Sequence, residues 1–236
     1  MSISRIVRGG LAVVGAVVVL AAGFLGYIWF AGGSGEPSRE VEAVRVESES
    51  PLSVTYDVDS SRSEARFLID EVLRGRPNTV VGVTSEIAGS IALQFDPAEV
   101  EIGEFVINVR SIRTDDEVRD RTIRTMILES ARDEYEFSTF RPTSIAGIPE
   151  VIAVGDTLDL EVTGDLTVRD VTTDTTFAME IRVLTEEEIA GLARTTITWE
   201  ELDITIPYVG GDSIVASVEE SLDLEMEFVA QGSRAE

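Results

Sequence analysis

The sequence predicts an all-β domain of antiparallel strands behind one apolar amino-terminal segment. Three observations carry the prediction. From Leu52 onward, apolar and polar residues alternate with the period of two of a pleated chain. Turn-forming pairs such as Asp96-Pro97 separate these stretches. Helical spacing is confined to two short runs.

Arg5 and Arg8 precede an uncharged run whose apolar part begins at Leu11. About 20 such residues, at 1.5 Å each, match the hydrocarbon thickness of a bilayer. Tyr27, Trp29 and Phe30 stand at the far end, where an aromatic belt belongs. Residues 11–31 are therefore expected to form a single transmembrane helix with the bilayer as partner. A cleaved signal peptide is the competing reading; its apolar region is usually roughly 7–15 residues and ends in an Ala-x-Ala-like site. Ala31-Gly32-Gly33-Ser34 is a poor version of that site. The arginines assign residues 1–10 to the cytoplasm and the rest to the extracytoplasmic side, periplasmic or extracellular.

Residues 32–51 are rich in Gly, Ser and Glu, with Pro37 and Pro51 as breakers, and are expected to be a flexible acidic linker. Residues 52–236 are expected to be the β domain. Ala65, Phe67 and Ile69 alternate with Arg66 and Leu68. Ile87, Gly89, Ile91, Leu93 and Phe95 form a second series, and Phe105, Ile107 and Val109 a third. Leu158, Leu160 and Val162 follow, then Phe177, Met179, Ile181 and Val183. Leu202, Ile204 and Ile206 form another, and Leu222, Leu224, Met226 and Phe228 the last. The helical runs are Arg119 to Glu129, with Ile123, Met126 and Ile127 on one face, and Glu186 to Ala193. In the second, Thr185 and Glu188 have capping-box spacing. Strands with one apolar and one wet face fit a sandwich or a barrel, and periodicity does not separate the two.

Composition excludes much chemistry. The chain has no Cys, no His and no Lys, so a thiol nucleophile, an imidazole base and a Schiff-base lysine are unavailable. A formal net charge of -25 argues against nucleic acid as a partner. Asp115, Asp116, Glu117 and Asp120 cluster beside Arg113, Arg119 and Arg121. They lack EF-hand spacing, and a mixed-charge loop is usually an ion-paired rim. No metal or cofactor is expected.

Three segments carry a family resemblance. Ser111-Ile112-Arg113-Thr114 ends a strand, Arg119-Asp120 begins the short helix, and Tyr135 to Phe140 opens an aromatic strand. Tyr56-Asp57-Val58-Asp59 with Ser63 and Phe67 forms an opening strand. Gly164 to Thr172 reads as a Gly-x-Leu-Thr hairpin. Taken in their order along the chain, they resemble the YceI-like family from about Val54 to Gln231. Arg121 stands where that family often has His, and Met126-Ile127-Leu128 where it has aromatics. The resemblance implies an extended lipocalin-like antiparallel barrel of about eight strands with one or two short helices. It also implies a polyisoprenoid ligand, polyprenyl or quinone, bound without catalysis.

The apolar pocket is then expected to draw on Phe67, Phe95, Phe105, Ile107, Phe137, Phe140, Phe177, Met179 and Phe228. Arg113 and Arg119 are candidates for contact with an anionic headgroup. The alternative is a ligand-free barrel serving as a structural or protein-interaction module, with the same residues filling its interior.

Overall fold

The computed structural model describes residues 23, 26–48, 50–207, 209 and 215–233. The chain enters β1 (Val54–Val58), a 3-10 turn (Ser60–Arg62), and the hairpin of β2 (Glu64–Leu73) and β3 (Arg76–Thr84). The next strands are β4 (Ile87–Ala88), β5 (Ser90–Gln94), β6 (Glu99–Ile102) and β7 (Phe105–Asn108). A 3-10 turn (Val109–Ser111), α1 (Glu117–Thr122) and a π-turn (Ile123–Ile127) interrupt the sheet. Then come β8 (Phe137–Ala146), β9 (Thr157–Val168), β10 (Val171–Thr185), β11 (Glu188–Thr198), β12 (Val215–Val218) and β13 (Ser221–Ser233).

These strands form one curled antiparallel sheet. Its order is β4-β7-β8-β9-β10-β11-β13-β1-β5-β6, with β2 pairing β13, β3 and β12. β4 starts this order, yet β5 lies one residue further along the chain and pairs β1 near the other end. The curl thus brings both ends of the path to the single run Ile87–Gln94. A second link joins Val83, in β3, to Arg113 by reciprocal backbone hydrogen bonds of 2.8 and 2.9 Å.

Aromatic rings lying on glycines accompany the curl. Phe67 faces Gly82, Phe228 faces Gly191, and Tyr56 faces Gly232 across neighbouring strands. Phe105 lies against Gly89 between β4 and β5. A Cβ added at Gly82, Gly89 or Gly191 would stand 2.2–2.4 Å from ring carbon. The missing side chain is what lets each ring lie flat across its neighbour.

One half of the interior is solid. Tyr56, Ile91, Leu93, Val162, Ile181, Val183, Ile189 and Phe228 are almost wholly buried there. Each such aliphatic or Phe side chain contributes roughly 1.5–3 kcal/mol relative to exposure. β10 follows the expected alternation, with Phe177, Met179, Ile181 and Val183 inward and Ala178, Glu180 and Arg182 outward.

Several expectations are corrected. The sheet has thirteen strand segments rather than about eight, partly because the run expected as one strand breaks at Gly89. The run expected to be helical from Glu186 is a two-residue turn followed by β11. Thr185 Oγ1 accepts the Glu187 N–H at 3.1 Å, so it shapes a turn rather than capping a helix. Ile189, Ala193 and Ile197 are four apart, a spacing that suits one helix face and one strand face alike. Ladders to β10 and β13 on both edges decide for the strand. Leu202 and Ile204 are buried but not in a strand: both backbone N–H groups donate to the Trp199 carbonyl, at 3.2 and 2.9 Å, around Asp203 at φ 49°. The Arg119–Glu129 run begins at Glu117, because Asp116 accepts the Arg119 N–H at 2.8 Å as N-cap.

Most of the proposed transmembrane segment falls outside the described residues. Among the described residues no helix is long and apolar enough to cross a membrane; residues 26–31 are helical. Residues 33–48 form no helix or strand and lie along the sheet. The Val46 N–H donates to Ser90 Oγ at 2.8 Å, Ser48 Oγ to Glu101 at 2.6 Å, and Arg45 pairs with Asp57 at 3.0 Å.

Candidate functional site

The other half of the interior is hollow. An inner chamber of about 140 Å³ is lined by eight strands, six of which supply a pair of inward residues and two, β3 and β11, a single one, Thr84 and Ala193. β2 supplies Ala65 and Phe67, β7 supplies Phe105 and Ile107, and β8 supplies Ser138 and Phe140. Leu166 and Val168 come from β9, Phe177 and Met179 from β10, Leu224 and Met226 from β13. In each pair the residues are two apart, as a single pleated face requires. Phe140 and Phe177 meet edge to face, with centroids 4.7 Å apart.

An outer chamber of about 500 Å³ adjoins it. Phe67, Leu128 and Trp199 line both. Ile69, Leu73 and Val80 of the β2–β3 hairpin form one outer wall, and Val118, Ile123 and Ile127 form the facing one. In the π-turn the Leu128 N–H donates to the Ile123 carbonyl at 2.8 Å, five residues back. This extra residue brings Leu128 to the lumen, whereas Met126, expected on that face, lines neither chamber.

A buried polar post holds the β7–β8 wall. The Arg110 guanidinium lies 3.0 Å from the Glu136 carboxylate and also donates to the Ser130 carbonyl at 2.6 Å. Asn108 Nδ2 donates to Glu136 at 2.8 Å, and the Ser38 N–H does so at 2.7 Å. Burial pushes the Glu136 pKa up. The hydrogen bonds from Ser38 and Asn108, with the Arg110 charge, outweigh burial and hold it below the usual carboxylate range.

The acidic cluster serves the architecture. Asp120 accepts from the Thr114 N–H and hydroxyl, both at 2.7 Å, Asp115 pairs with Arg119, and Glu117 pairs with Arg121 at 2.9 Å. Among the described residues no group of three or more acidic side chains is arranged to hold a metal.

The segment before the domain crosses this end of the sheet. Ile28 is buried and lines the outer chamber. Arg121 stacks on Trp29 at 3.8 Å and donates to the Trp29 and Gly33 carbonyls, each at 2.8 Å. Arg124 donates to the Gly32 carbonyl at 2.7 Å, and Arg113 to that of Ser34 at 2.8 Å.

Of the expected pocket residues, Phe67, Phe105, Ile107, Phe140, Phe177 and Met179 line the inner chamber. Phe95, Phe137 and Phe228 line neither chamber. Phe95 follows the end of β5, where its carbonyl accepts the Ile152 N–H. Phe137 lies under the Arg39 guanidinium, and Phe228 packs 6.1 Å from Phe105 in the solid half. Arg119 lines the outer chamber, while Arg113 does not. Sequence reasoning missed Leu128, Val168 and Ile28 as lining residues. Val168 was readable from the alternation of β9; the other two depend on the π-turn and on a distant segment.

A YceI-like domain model matches residues 56–230. No curated protein matches the chain. A polyisoprenoid-binding domain from Saccharophagus degradans superimposes with a TM-score of 0.52 at 15% identity, covering 75% of this chain and 98% of that one. BcnA of Burkholderia cenocepacia gives 0.52 at 18% identity, covering 73% and 98%. A YceI protein of Campylobacter jejuni gives 0.50 at 19%, covering 64% and 83%. At these identities the likeness is one of fold; with the family model spanning most of the chain, this protein belongs to the YceI-like domain family.

Proposed function

We propose that the protein binds an isoprenoid-type lipid, polyprenyl or quinone, along the two chambers of a barrel and sequesters or carries it without catalysis. The observation that carries this reading is that two apolar chambers adjoin, with Phe67, Leu128 and Trp199 as shared walls. A long, narrow, apolar path suits a flexible hydrocarbon chain, whose burial gains roughly 25 cal/mol per Å². The outer chamber alone is within the range of about 300–1,000 Å³ typical of small-molecule sites. The relative described as a polyisoprenoid-binding domain supports the same ligand class.

Residues 11–31 act in this reading as a membrane anchor that leaves the domain extracytoplasmic. Its support is the apolar run itself and the position of Ile28, in the last turn of that run, in the wall of the outer chamber. A lipid leaving the bilayer then meets the lumen at once. Arg113 and Arg119 stand at this end, where an anionic headgroup would arrive. A non-catalytic role agrees with a composition lacking His, Cys and Lys and with the structural partners of the acidic cluster.

Native mass spectrometry of protein purified from membranes in mild detergent tests the proposal. A co-purifying isoprenoid is the expected result. Lipid-free protein from which no apolar probe can be displaced would instead leave a structural or interaction module.

A further inference from the structure

One group in the lumen wall has no task in the fold. Ser138 is 6% exposed and lines the inner chamber, and its hydroxyl has no hydrogen-bond partner among the described residues. Its neighbours explain why. Ile107 of β7 stands directly opposite. On the other side, the register that sets Thr139 against Thr167 carries Val168 alongside. Both are apolar and both line the same chamber. Two residues back along the chain, just before β8, the Glu136 carboxylate is already engaged by Ser38, Asn108 and Arg110.

The other polar groups of this wall are committed. Thr84 Oγ1 meets Ser111 Oγ at 2.6 Å and accepts the Glu86 N–H at 3.0 Å. Arg66 is held as an ion pair by Glu225, at 3.2 Å, and by Glu227, although its Nε–H makes no well-directed hydrogen bond. Trp199 Nε1 donates to the Glu219 carbonyl at 2.8 Å. A buried hydroxyl without a partner lowers stability, and an apolar residue here would avoid that loss. A water is held in place by two to four polar partners, and Ser138 offers one.

We infer that Ser138 is the polar recognition point of the lumen. Its hydroxyl donates to an oxygen at the inward end of the ligand, a hydroxyl or carbonyl on a prenyl chain, so a neutral oxygenated end enters first, and only an anionic headgroup would be held back at Arg113 and Arg119. The inference rests on the reading of the lumen as an isoprenoid site and adds the ligand's polarity and direction.

The test compares farnesol with farnesane, its hydrocarbon counterpart, by displacement of a fluorescent apolar probe from the full chain. In the wild-type protein farnesol binds more tightly than farnesane. Ser138→Ala weakens farnesol about fivefold, the value of one neutral hydrogen bond, and leaves farnesane unchanged or tighter. Ser138→Thr, which keeps a hydroxyl, retains the preference for farnesol. The melting temperature of Ser138→Ala is equal to or above that of wild type, because no protein hydrogen bond is lost. Equal effects of Ser138→Ala on both probes, or none on either, overturn the inference while the lumen reading stands. Failure of the folded wild-type protein to bind any prenyl probe overturns both.

Discussion

Phe137 and Phe140 stand three residues apart on β8 and face opposite sides of the sheet. Phe140 points into the lumen against Phe177, and Phe137 lies outside beneath the Arg39 guanidinium, 4.7 Å from its ring centre. Residues an odd number apart on one strand cannot share a face. The inside of the wall is therefore separable from the outside by single substitutions.

Phe140→Ala is expected to cost about 3 kcal/mol, toward the lower end for a core Phe because the site already borders a void. It also removes the ring contact with Phe177 and weakens binding of an apolar probe. Phe137→Ala, half-buried and outside, is expected to cost about 1 kcal/mol and to leave binding unchanged. Urea unfolding and probe titration read the two effects; equal loss of binding in both would contradict the facing of β8.

Glu136 sets a pH signature. Its carboxyl lies below the ordinary range in the folded protein, so the stability it contributes is full above about pH 4.3 and is lost as pH falls through the lower folded value. Glu136→Gln is expected to lower stability at pH 7 by about 2 kcal/mol, since Arg110 loses a buried charged partner. The gap between wild type and variant closes as pH drops below 4. Urea midpoints at pH 7, 5 and 3 measure it, with the exposed Glu188 and Glu201, also held low, common to both proteins.

Ala193 is 2% exposed and lines the inner chamber. Ala193→Leu is expected to fill much of that void, with a change in stability within about 1 kcal/mol. Probe affinity should fall tenfold or more. An unaltered affinity with an unchanged fold would show that ligand does not use the inner chamber.

Two of the glycine–aromatic pairs lie on different parts of the sheet. A Cβ at Gly191 would meet the Phe228 ring, and one at Gly82 the Phe67 ring, each at 2.2 Å. Both Gly→Ala substitutions are expected to cost about 2 kcal/mol by overpacking. Only Gly82→Ala should alter probe binding, because Phe67 lines both chambers while Phe228 lines neither. Thermal melts and probe titration separate the outcomes.

The sequence by itself determined the strands whose alternation is local. Phe177 to Val183 and Leu222 to Phe228 were readable because a pleated chain sorts its side chains every two residues, whatever it packs against. The same rule carried Phe67, Phe105, Ile107, Phe140 and Met179 to the inward face. Only the tertiary structure decided between helix and strand from Glu188 onward, where neighbouring ladders satisfied the backbone on both edges. It also turned Leu202 and Ile204 out of a strand and separated the hollow half from the solid one. Leu128 reached the lumen through the π-turn, and Ile28 acquired its place through contacts between segments far apart in the chain. Such contacts depend on how the sheet curls, and no local period encodes that.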